Sequence, residues 1–491
     1  MGLEIDRSEF TVDDEERFSR RLHESLDALG DVLRRPGFGA GPPRIGMELE
    51  MSIVDGACRP LARNEEVLER AGIDRLDVEL NRFNVEYNSR PLGLRGDAFS
   101  AIGADLRQGL THTAGAAEAV GGRVAIVGIL PTLREADLQS DALTDRFRFH
   151  ALSSRIRQIR QAPFRVRVDG PEPVDITCDD VTLEGANTSL QVHLQASPDR
   201  FARVFNAVQL ATGPVLGLCG NSPFLVGRRC WEETRVALFR QAVDDRAPDG
   251  HWRPARVSFG HGWVRTGALE LFAESVALHA PLLPVVGGQD PRRAADAGAV
   301  PALDELRLHH GTVWRWNRAV YDPDGGGSVR IELRALPAGP TVEDMIANAA
   351  LLVGASLAVA EETEWMTAAM PFRYAEYNFM EAARRGLDAT FLWPARRAPS
   401  PRPVEAPRLL ELLIGAADGG LASVGVDRDE REHYLGIARA RLAAGTTGAR
   451  WQVRAVAARE AAGRGAALAG MLDEYLARSR DGAPVHTWGR G

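Results

Sequence analysis

The sequence predicts an α+β fold in which strands with one charged face are combined with long helices. The clearest strand lies in residues 328–340, SVRIELRALPAGP, where apolar and charged side chains alternate. Alternation with a period of two is typical of a strand with one buried face. The other face cannot be a dry core, because unpaired buried charge is too costly. It faces either water, as a solvated sheet face with internal ion pairs, or a charged ligand.

Three other stretches also predict strands with a polar face: residues 44–53 (RIGMELEMSI), 79–88 (ELNRFNVEYN) and 187–195 (NTSLQVHLQ). Several carboxylates and one imidazole, without thiolates, suit a hard divalent ion such as Mg²⁺ or Mn²⁺. Arginine suits phosphate, which it can grip with two parallel hydrogen bonds. The four stretches together predict a metal–nucleotide site. The side chains concerned are Glu48, Glu50, Glu79, Glu86, Ser189, Gln191, His193, Arg330, Glu332 and Arg334.

A turn is predicted between Glu79 and Glu86. Seven residues apart on one straight strand, these two side chains would point to opposite faces. Asn81 and Asn84 lie between them, and Asn is common in turns. A turn or bulge here would let both carboxylates reach one ion.

Helix start and stop signals divide the rest of the chain. Thr11 precedes a run of acidic residues, Ser197 is followed by Pro198, and Thr341 opens a capping-box-like pattern before a long apolar run. The arginines of residues 144–161 are interpreted as a solvated basic face in preference to a phosphate contact. The predicted helices cover residues 11–35, 97–119, 144–161, 197–212, 341–362 and, with a break at 445–448, 408–478, and further predicted strands cover 123–129 and 306–316.

Composition narrows the class of protein. The 491 residues are 45% hydrophobic and 26% charged, which is ordinary for a globular protein of two to four domains. A net charge of −8 makes a general nucleic-acid surface an unfavoured interpretation. The N-terminus has no apolar signal-peptide core, and no apolar run is expected to span a bilayer. Four cysteines without metal-ligand spacing are expected to pack as small hydrophobic residues: Cys58, Cys178, Cys219 and Cys230.

Taken in order, these motifs resemble the glutamine synthetase and glutamate–cysteine ligase superfamily, and within it the second glutamate–cysteine ligase family. The resemblance runs from about residue 44 to 360. Two further fragments support it, GILPTL at residues 128–133 and NSPFLVG at 221–227. The motifs that carry it are GMELE at 46–50, the pair Glu79 and Glu86, the strand with His193, Asn317-Arg318, and RIELR at 330–334.

The resemblance implies a curved, mostly antiparallel sheet that forms an open funnel, with helices outside and two metal ions inside. Glu48 and Glu50, two apart on one strand face, would serve different ions. His193 would bind as the neutral imidazole; taken alone, it would be interpreted as a core histidine. The implied ligands are Glu50, Glu79 and Glu86 for one ion, and Glu48, His193 and Glu332 for the other.

The resemblance also implies roles for polar residues beside the metals. Arg334 would stabilise the transferred phosphoryl group, and Arg318 would contact the nucleotide phosphates. Arg330 would do either, or pair with a carboxylate. Ser189 and Gln191 would contact nucleotide or substrate. The tryptophans that flank this arginine segment, Trp314 and Trp316, are interpreted as packing residues.

The implied function is an ATP-dependent carboxylate–amine ligase that uses ATP and Mg²⁺ or Mn²⁺. The donor would be the γ-carboxylate of glutamate, activated as an acyl phosphate, and the acceptor an amine such as that of cysteine. Two alternatives stay open: a ligase for another amino acid and amine pair in secondary metabolism, and a non-catalytic nucleotide- or amino-acid-binding homologue. The chain has no GxxxxGK[ST] motif, which excludes only that way of binding nucleotides.

The expected partners are small-molecule carboxylates and amines, without nucleic acid or membrane, in the cytoplasm. The sequence leaves a homo-oligomer open. Four segments are expected: an N-terminal helix and lead-in (1–43), a catalytic domain (44–394), a linker-like stretch rich in Arg and Pro (395–407), and a C-terminal helical region packed on the catalytic domain (408–491).

Overall fold

A computed structural model describes residues 5–248, 250, 252–396, 398 and 400–489. Helices and antiparallel strands are mixed along the chain, which confirms the predicted α+β class. The parts of the expected segments that contain residues 1–4, 397, 399 and 490–491 lie outside the described residues. The strands are β1 (Arg44–Val54), β2 (Leu76–Val78), β3 (Asn84–Asn88), β4 (Leu92–Gly93), β5 (Arg123–Ala125), β6 (Phe164–Val168), β7 (Val174–Cys178), β8 (Leu190–Gln195), β9 (Phe224–Leu225), β10 (Arg228–Arg229), β11 (Asn317–Asp322), β12 (Ser328–Leu333), β13 (Thr390–Trp393) and β14 (Arg402–Glu405).

The main sheet has eight strands and is open. Its central path runs β11-β12-β8-β1-β3-β2, and β4 and β5 pair with the two ends of β1. Neighbouring strands are antiparallel throughout this sheet. The four stretches chosen for their alternation thus supply β1, β3, β8 and β12, which lie side by side. Three smaller sheets pair β6 with β7, β9 with β10, and β13 with β14.

The apolar face of the main sheet is the centre of the core. The alternate residues of its strands that do not carry charge are almost completely inaccessible to solvent. Burial of large aliphatic side chains contributes roughly 1.5–3 kcal/mol each, so this face is fixed inward and its charged partners are fixed on the opposite face. The residues are Met47, Leu49, Met51, Leu190, Val192, Leu194, Val329, Ile331 and Leu333.

Helices cover the apolar side and surround the sheet. Helix α10 packs against α5, α13 and α14, and it also contacts β8. The helices are α1 (Val12–Leu33), α2 (Asn64–Ala71), α3 (Ala98–Ala119), α4 (Phe147–Arg160), α5 (Phe201–Cys219), α6 (Arg235–Ala242), α7 (Ala268–Leu278), α8 (Pro291–Asp296), α9 (Asp304–Gly311), α10 (Val342–Ala360), α11 (Thr363–Ala369), α12 (Phe372–Arg385), α13 (Ala406–Ser423), α14 (Arg428–Ala443), α15 (Gly448–Ala457) and α16 (Arg464–Asp481).

Helix α10 is long and apolar enough to meet the length and composition test for a membrane span, which corrects the expectation that no such run exists. Its most apolar 18-residue window is 89% buried within the protein. A central helix of a large core has the same composition, because it is covered on all sides by apolar neighbours. The burial therefore identifies α10 as a core helix.

The helix signals were confirmed at two capped starts. The Thr11 hydroxyl accepts a hydrogen bond from the Asp14 backbone N–H, and Thr341 accepts one from Asp344. The break near 445–448 is confirmed between α14 and α15, and further breaks separate α13 from α14 and α15 from α16.

Two element predictions were wrong. Ser197-Pro198 does not begin a helix: α5 begins at Phe201 after a turn, and it continues to Cys219, well past the expected end. Residues 306–316 form helix α9 and a loop instead of a strand, and the strand begins at Asn317. In both places local residue preference is overruled by packing in the buried core.

The proposed division into domains stays a prediction. Within the stretch expected to be a linker, β14 pairs with β13, and α13 follows at once. The four cysteines are buried and free, as expected of packing residues.

Candidate active site

The charged side chains of the main sheet come together because the strand register places them opposite one another. Arg318 on β11 lies opposite Glu332 on β12, and Glu332 lies opposite His193 on β8. On β1, Glu50 lies opposite Glu86 of β3. A cavity of ≈ 440 Å³ opens on this face, and most of these side chains line it.

One group of possible metal ligands is formed by Glu48, His193 and Glu332. A ligand atom of each lies within 4.8 Å of those of the other two. The His193 Nε2 atom is 2.9 Å from Glu48 Oε1 and 3.9 Å from Glu332 Oε1. Nε2 is buried, and its close contact with Glu48 does not have the geometry of a regular hydrogen bond.

Arg330 covers the other side of the His193 ring. Its Nε atom donates to His193 Nδ1 at 2.9 Å, and its NH1 atom donates to Asp322 Oδ2 at 2.6 Å. A guanidinium only donates, so Nδ1 accepts and the neutral ring carries its proton on Nε2. Binding a metal through Nε2 therefore requires Arg330 to release Nδ1. Arg330 can stay bound to Asp322 when it leaves His193.

Glu332 is held by two arginines. Arg318 donates to both of its carboxylate oxygens, from Nε at 2.7 Å and from NH2 at 3.0 Å. The NH1 atom of Arg334 lies 3.2 Å from Glu332 Oε2 and donates to the side-chain oxygen of Gln191. Two-pronged contacts of this kind are the strongest that arginine makes. Glu332 thus binds both arginines, and it would have to give up a contact with one of them in order to bind an ion.

A second group of carboxylates lies at the β1–β3 side of the cavity. Glu50 accepts a hydrogen bond from the Ser189 backbone N–H at 2.7 Å and another from Gln191 Nε2 at 2.7 Å. Glu79 follows β2, and β2 and β3 form a hairpin, which confirms the predicted turn between Glu79 and Glu86. Glu86 and Glu79 therefore both line the cavity.

These carboxyl groups crowd one another. Burial and the neighbouring Glu86 raise the pKa of Glu50 to about 7, and burial and Glu50 raise the pKa of Glu79 to about 7. Burial, Glu48 and Glu79 raise the pKa of Glu86 to about 8. Burial and Glu79 raise the pKa of Glu184 to about 8. Burial disfavours each charged form, and like charges add to the effect.

The group around His193 has the opposite electrostatics. Burial alone would raise the pKa of Glu48, but contact with the imidazole of His193 lowers it to about 2. Burial also opposes ionisation of Glu332, yet Arg318 and Arg334 hold its pKa well below the usual range. Burial would lower the pKa of Arg334, but the carboxylates around it raise it. The polar face therefore has two halves. In the His193 group, positive charges balance the carboxylates, whereas the Glu50 group has more carboxyl groups than positive charges.

The donor atoms fit divalent metal ions. Both groups offer carboxylate oxygens, the first adds one imidazole nitrogen, and this is a set that suits Mg²⁺ or Mn²⁺. The crowded carboxylates of the Glu50 group, and the buried Nε2 atom of His193 without a regular hydrogen bond, are the structural features that a cation would satisfy.

The other residues singled out from the sequence have mixed placements. Gln191 lines the cavity, but its side chain is engaged by Glu50 and Arg334. Ser189 is 5% exposed and does not line the cavity. Trp314 lines the cavity, whereas Trp316 is fully buried, as expected of a packing residue.

Sequence reasoning missed several charged residues that line the cavity, among them Glu184 and Arg148; the others are Asp77, Arg307, Asp322 and Asp324. Glu184 lies in a short 3₁₀ turn before β8, so it has no alternation to identify it. Arg148 is on α4, whose arginines we interpreted as a solvated face; the signal that distinguishes it is its spacing next to Phe149 and Leu152, which also line the cavity. Its neighbours on α4 are instead ion-paired elsewhere, as Arg155 is with Glu15 at 2.6 Å.

Comparison with known proteins adds one sequence match and several structural ones. The model of the family described as "Glutamate-cysteine ligase family 2" matches residues 44–468. No curated protein matches the chain.

Among solved structures, the chain is similar to a glutamate–cysteine ligase from Francisella tularensis in complex with AMP, at 10% identity and a TM-score of 0.57, over 90% of each chain. It is also similar to a bifunctional glutathione synthetase from Pasteurella multocida, at 12% identity and a TM-score of 0.49, over 94% of this chain and 55% of that one. For the complex of the ubiquitin-like protein Pup with its ligase PafA, the identity is 12% and the TM-score 0.40, over 92% and 74%. The first score supports a shared fold, and the other two fall below 0.5 and add no support.

Proposed function

The chain belongs to glutamate-cysteine ligase family 2, and from that premise we propose that it is an ATP-dependent carboxylate–amine ligase with its active site on the polar face of the main sheet. One observation carries the proposal: carboxylates and three arginines from β1, β3, β11 and β12 and the turns beside them line one cavity, and His193 of β8 lies within 4.8 Å of two of those carboxylates, Glu48 and Glu332. Forming an amide from ATP requires the positioning of charged phosphates, which such a face can supply.

We propose two divalent ions, Mg²⁺ or Mn²⁺, as cofactors. When bound, such ions would neutralise phosphate charge and stabilise the charge that develops during phosphoryl transfer. The Glu50 group has more carboxylates than Arg148 and Arg334 beside it can balance, and the His193 group offers one imidazole nitrogen once Arg330 releases the other. The proposed ligands are Glu50, Glu79 and Glu86 for one ion, and Glu48, His193 and Glu332 for the other.

The arginines are proposed to hold phosphate groups. Arg334 lies 3.2 Å from Glu332, and its Nε atom is buried without a hydrogen-bond partner among the described residues. An unused donor beside metal-ligand candidates is suited to the transferred phosphoryl group. Arg318 is proposed to contact the nucleotide phosphates. Arg330 is proposed to contact phosphate after it leaves His193.

We propose the γ-carboxylate of glutamate as the donor and an amine such as that of cysteine as the acceptor. The donor would be activated as a noncovalent acyl phosphate, because the sequence offers no activated nucleophile signature such as GxSxG. Glutamate and cysteine are taken from the family, and the cavity residues do not select the acceptor by themselves. The nucleotide contacts proposed for Ser189 and Gln191 rest on the resemblance alone.

The wider setting follows the same premise. The open sheet is proposed to form a funnel with the metals inside. Residues 44–394 are proposed to form the catalytic domain, preceded by the lead-in of residues 1–43. The C-terminal helices of residues 408–491 are proposed to pack on this domain, to which residues 395–407 join them. A cytoplasmic location and small-molecule partners, without nucleic acid or membrane, are proposed with it. A homo-oligomer is compatible with this assignment.

The direct test is a screen of ADP release over pairs of amino acids and amines, with the amide detected by mass spectrometry. Glutamate is expected to give the largest acceptor-dependent release. If another carboxylate supports turnover and glutamate does not, the ligase assignment stands and the glutamate assignment is wrong. If no pair gives an amide, the ligase assignment itself fails.

A further inference from the structure

A second cavity lies apart from the carboxylate site. Its volume is ≈ 690 Å³, within the range of about 300–1,000 Å³ that small-molecule sites occupy. It is lined by the loop after β1, the loop after β5, the β6–β7 turn, the β9–β10 hairpin, and the first turns of α16 with the short turn before them. No residue lines both this cavity and the carboxylate cavity. We refer to it as the hairpin cavity.

Four arginines and two glutamates line the hairpin cavity, in a chain whose net charge is −8. Two of the arginines are fixed by acidic partners. Arg464 lies 2.6 Å from Glu172 and 3.2 Å from Glu460, and its Nε atom donates to the backbone oxygen of Gly227. Arg59 is paired with Asp137 and also donates to the backbone of a neighbouring loop. These contacts give the cavity a rigid wall.

The other two arginines have no such partners. Arg134 and Arg228 are exposed, and among the described residues their guanidinium groups make neither a hydrogen bond nor an ion pair. Their charges are therefore available to a ligand. Since the acidic residues of the cavity are already engaged by Arg464, the net field inside it is positive.

The start of helix α16 adds to this field. Its N-cap residue is Gly463, no side chain caps the first turn, and Gly465 lines the cavity. The first backbone N–H groups of a helix have no partner within the helix, and they carry the positive end of its dipole. A helix start that opens into a cavity already lined by unpaired arginines is suited to an anion.

Two of the sequence fragments that support the resemblance meet at this cavity and contribute nothing to the carboxylate site. GILPTL supplies Leu133 and its neighbours, and NSPFLVG supplies Val226 and Gly227. Val226 has a φ of 43°, in the left-handed region that a β-branched residue rarely adopts. Strain of this kind tends to occur where the backbone is held for function.

We propose that the hairpin cavity binds a small organic anion, with a phosphate or carboxylate headgroup between Arg134, Arg228 and the start of α16. The apolar side chains of Leu133 and Leu468 would contact the rest of the molecule. The site is independent of the proposed ligase activity, because it shares no residue with the catalytic cavity.

Calorimetric titration of the full chain with inorganic phosphate and, separately, with citrate tests the proposal. The first variant is Arg134→Ala combined with Arg228→Ala. The second is Gly465→Glu, where the new side chain enters open space and an acidic residue suits the first turn of a helix, so the fold is retained. Arg480→Ala is the matched control, because Arg480 is exposed near the other end of α16, outside the cavity.

The affinity for at least one probe is expected to fall on the order of 10-fold or more in both test variants, as for loss of a charge-assisted contact, and to be unchanged in Arg480→Ala. The probe that binds more tightly identifies the headgroup as phosphate or carboxylate. Binding of neither probe at millimolar concentration would overturn the proposal. So would binding that is equal in the wild type and in both test variants, which would place the anion in the catalytic cavity.

Discussion

Glu332 and Glu86 are both buried glutamates on the polar face of the sheet, yet their carboxyl groups face different charges. Glu332 is surrounded by Arg318, Arg334 and His193, whereas Glu86 faces Glu50 across the β1–β3 pair. Directly opposed like charges destabilise a sheet. Natural proteins keep such an arrangement where a cation or substrate compensates it, so the contrast between these two residues marks the proposed metal side.

The first prediction concerns Glu86→Gln. At a pH above 8, where Glu86 is ionised in the metal-free protein, the change removes one of two opposed charges, so the metal-free variant is expected to have a higher Tm than the metal-free wild type, while added Mg²⁺ raises its Tm less. Its ligase rate is expected to fall by a factor on the order of 10² or more. Thermal unfolding with and without Mg²⁺, beside a turnover assay, measures both effects.

The control is Glu432→Gln, because Glu432 is 57% exposed and pairs only with Arg428 on the surface of α14. It should match the wild type in Mg²⁺ response and in rate. A Glu86→Gln protein with wild-type turnover and an undiminished Mg²⁺ shift would remove Glu86 from the metal site.

At the scale of elements, helices α10 and α13 cross at two glycines. A Cβ built at Gly420 would lie 2.1 Å from the backbone oxygen of Gly354, and one built at Gly354 would lie 2.7 Å from that of Ala417. Both contacts are with backbone, which cannot move aside as a flexible side chain can. The absence of side chains thus lets the core helix α10 approach its neighbour closely.

The second prediction compares Gly420→Ala with Gly419→Ala, its neighbour in α13. Alanine at 420 forces the helices apart, so the free energy of unfolding is expected to fall by about 1–3 kcal/mol despite the better helix propensity. Alanine at 419 meets nothing within 4 Å and is expected to raise it by up to about 1 kcal/mol. Urea denaturation of both variants measures the change in the free energy of unfolding. An increase for Gly420→Ala would contradict the close crossing of the two helices.

Alternation was enough to identify the strands of the site, because a charged face and an apolar face leave a period of two in the sequence. It predicted the polar faces of β1, β8 and β12, whereas the spacing of Glu79 and Glu86 and the asparagines between them predicted the turn before β3. It could not predict register, and register decides that Glu332 lies opposite His193. Neighbours in a sheet are chosen by long-range packing, which no local pattern encodes.

Residues outside regular alternation were missed for the same reason. Glu184 reaches the cavity from a short turn, and Arg148 reaches it from a helix whose other arginines are paired elsewhere. Residues 306–316 looked like a strand but form α9 and a loop, because the surrounding core favours a helix there. The hairpin cavity is likewise assembled from five distant segments.

At the scale of the whole molecule, several histidines are buried in their neutral form. Burial lowers the pKa of His309 to about 4, where its ring faces Arg256 and His23 and contacts the Ser275 backbone oxygen at 3.0 Å. Burial lowers the pKa of His279 to about 3. The ordinary value is about 6.5, so the unfolded chain takes up these protons first. The stabilisation is complete above pH 6.5 and is lost as the pH falls toward 4.

The third prediction uses His309→Gln, since other groups also titrate in this range. Between pH 6.5 and 4, the wild type is expected to lose on the order of 2–3 kcal/mol more of its free energy of unfolding than the variant does. His112→Gln, at an exposed position on α3, should follow the wild type. Denaturant unfolding at a series of pH values measures the difference. Parallel pH profiles for all three proteins would show that His309 has the same pKa in the folded and the unfolded protein, which would contradict the prediction.

We propose that the two carboxylate groups and the arginines of the main sheet act together while ATP activates a carboxylate as an acyl phosphate that is not bound covalently to the protein. Arg334 lies 3.2 Å from Glu332, and its guanidinium group is a hydrogen-bond donor, not a nucleophile. Its loss is expected to weaken phosphoryl transfer more than nucleotide binding, by a factor on the order of 10²–10³ in rate.

Hydroxylamine trapping shows whether the protein forms an acyl phosphate that is not bound covalently to it. With ATP, Mg²⁺ and glutamate, the small amine is expected to intercept the acyl phosphate, and the products are expected to be a glutamyl hydroxamate, ADP and phosphate, with both ATP and glutamate required. Arg334→Ala should still bind ATP yet form little hydroxamate. Release of AMP and pyrophosphate, or a glutamate-derived mass adduct on the protein itself, would contradict the account.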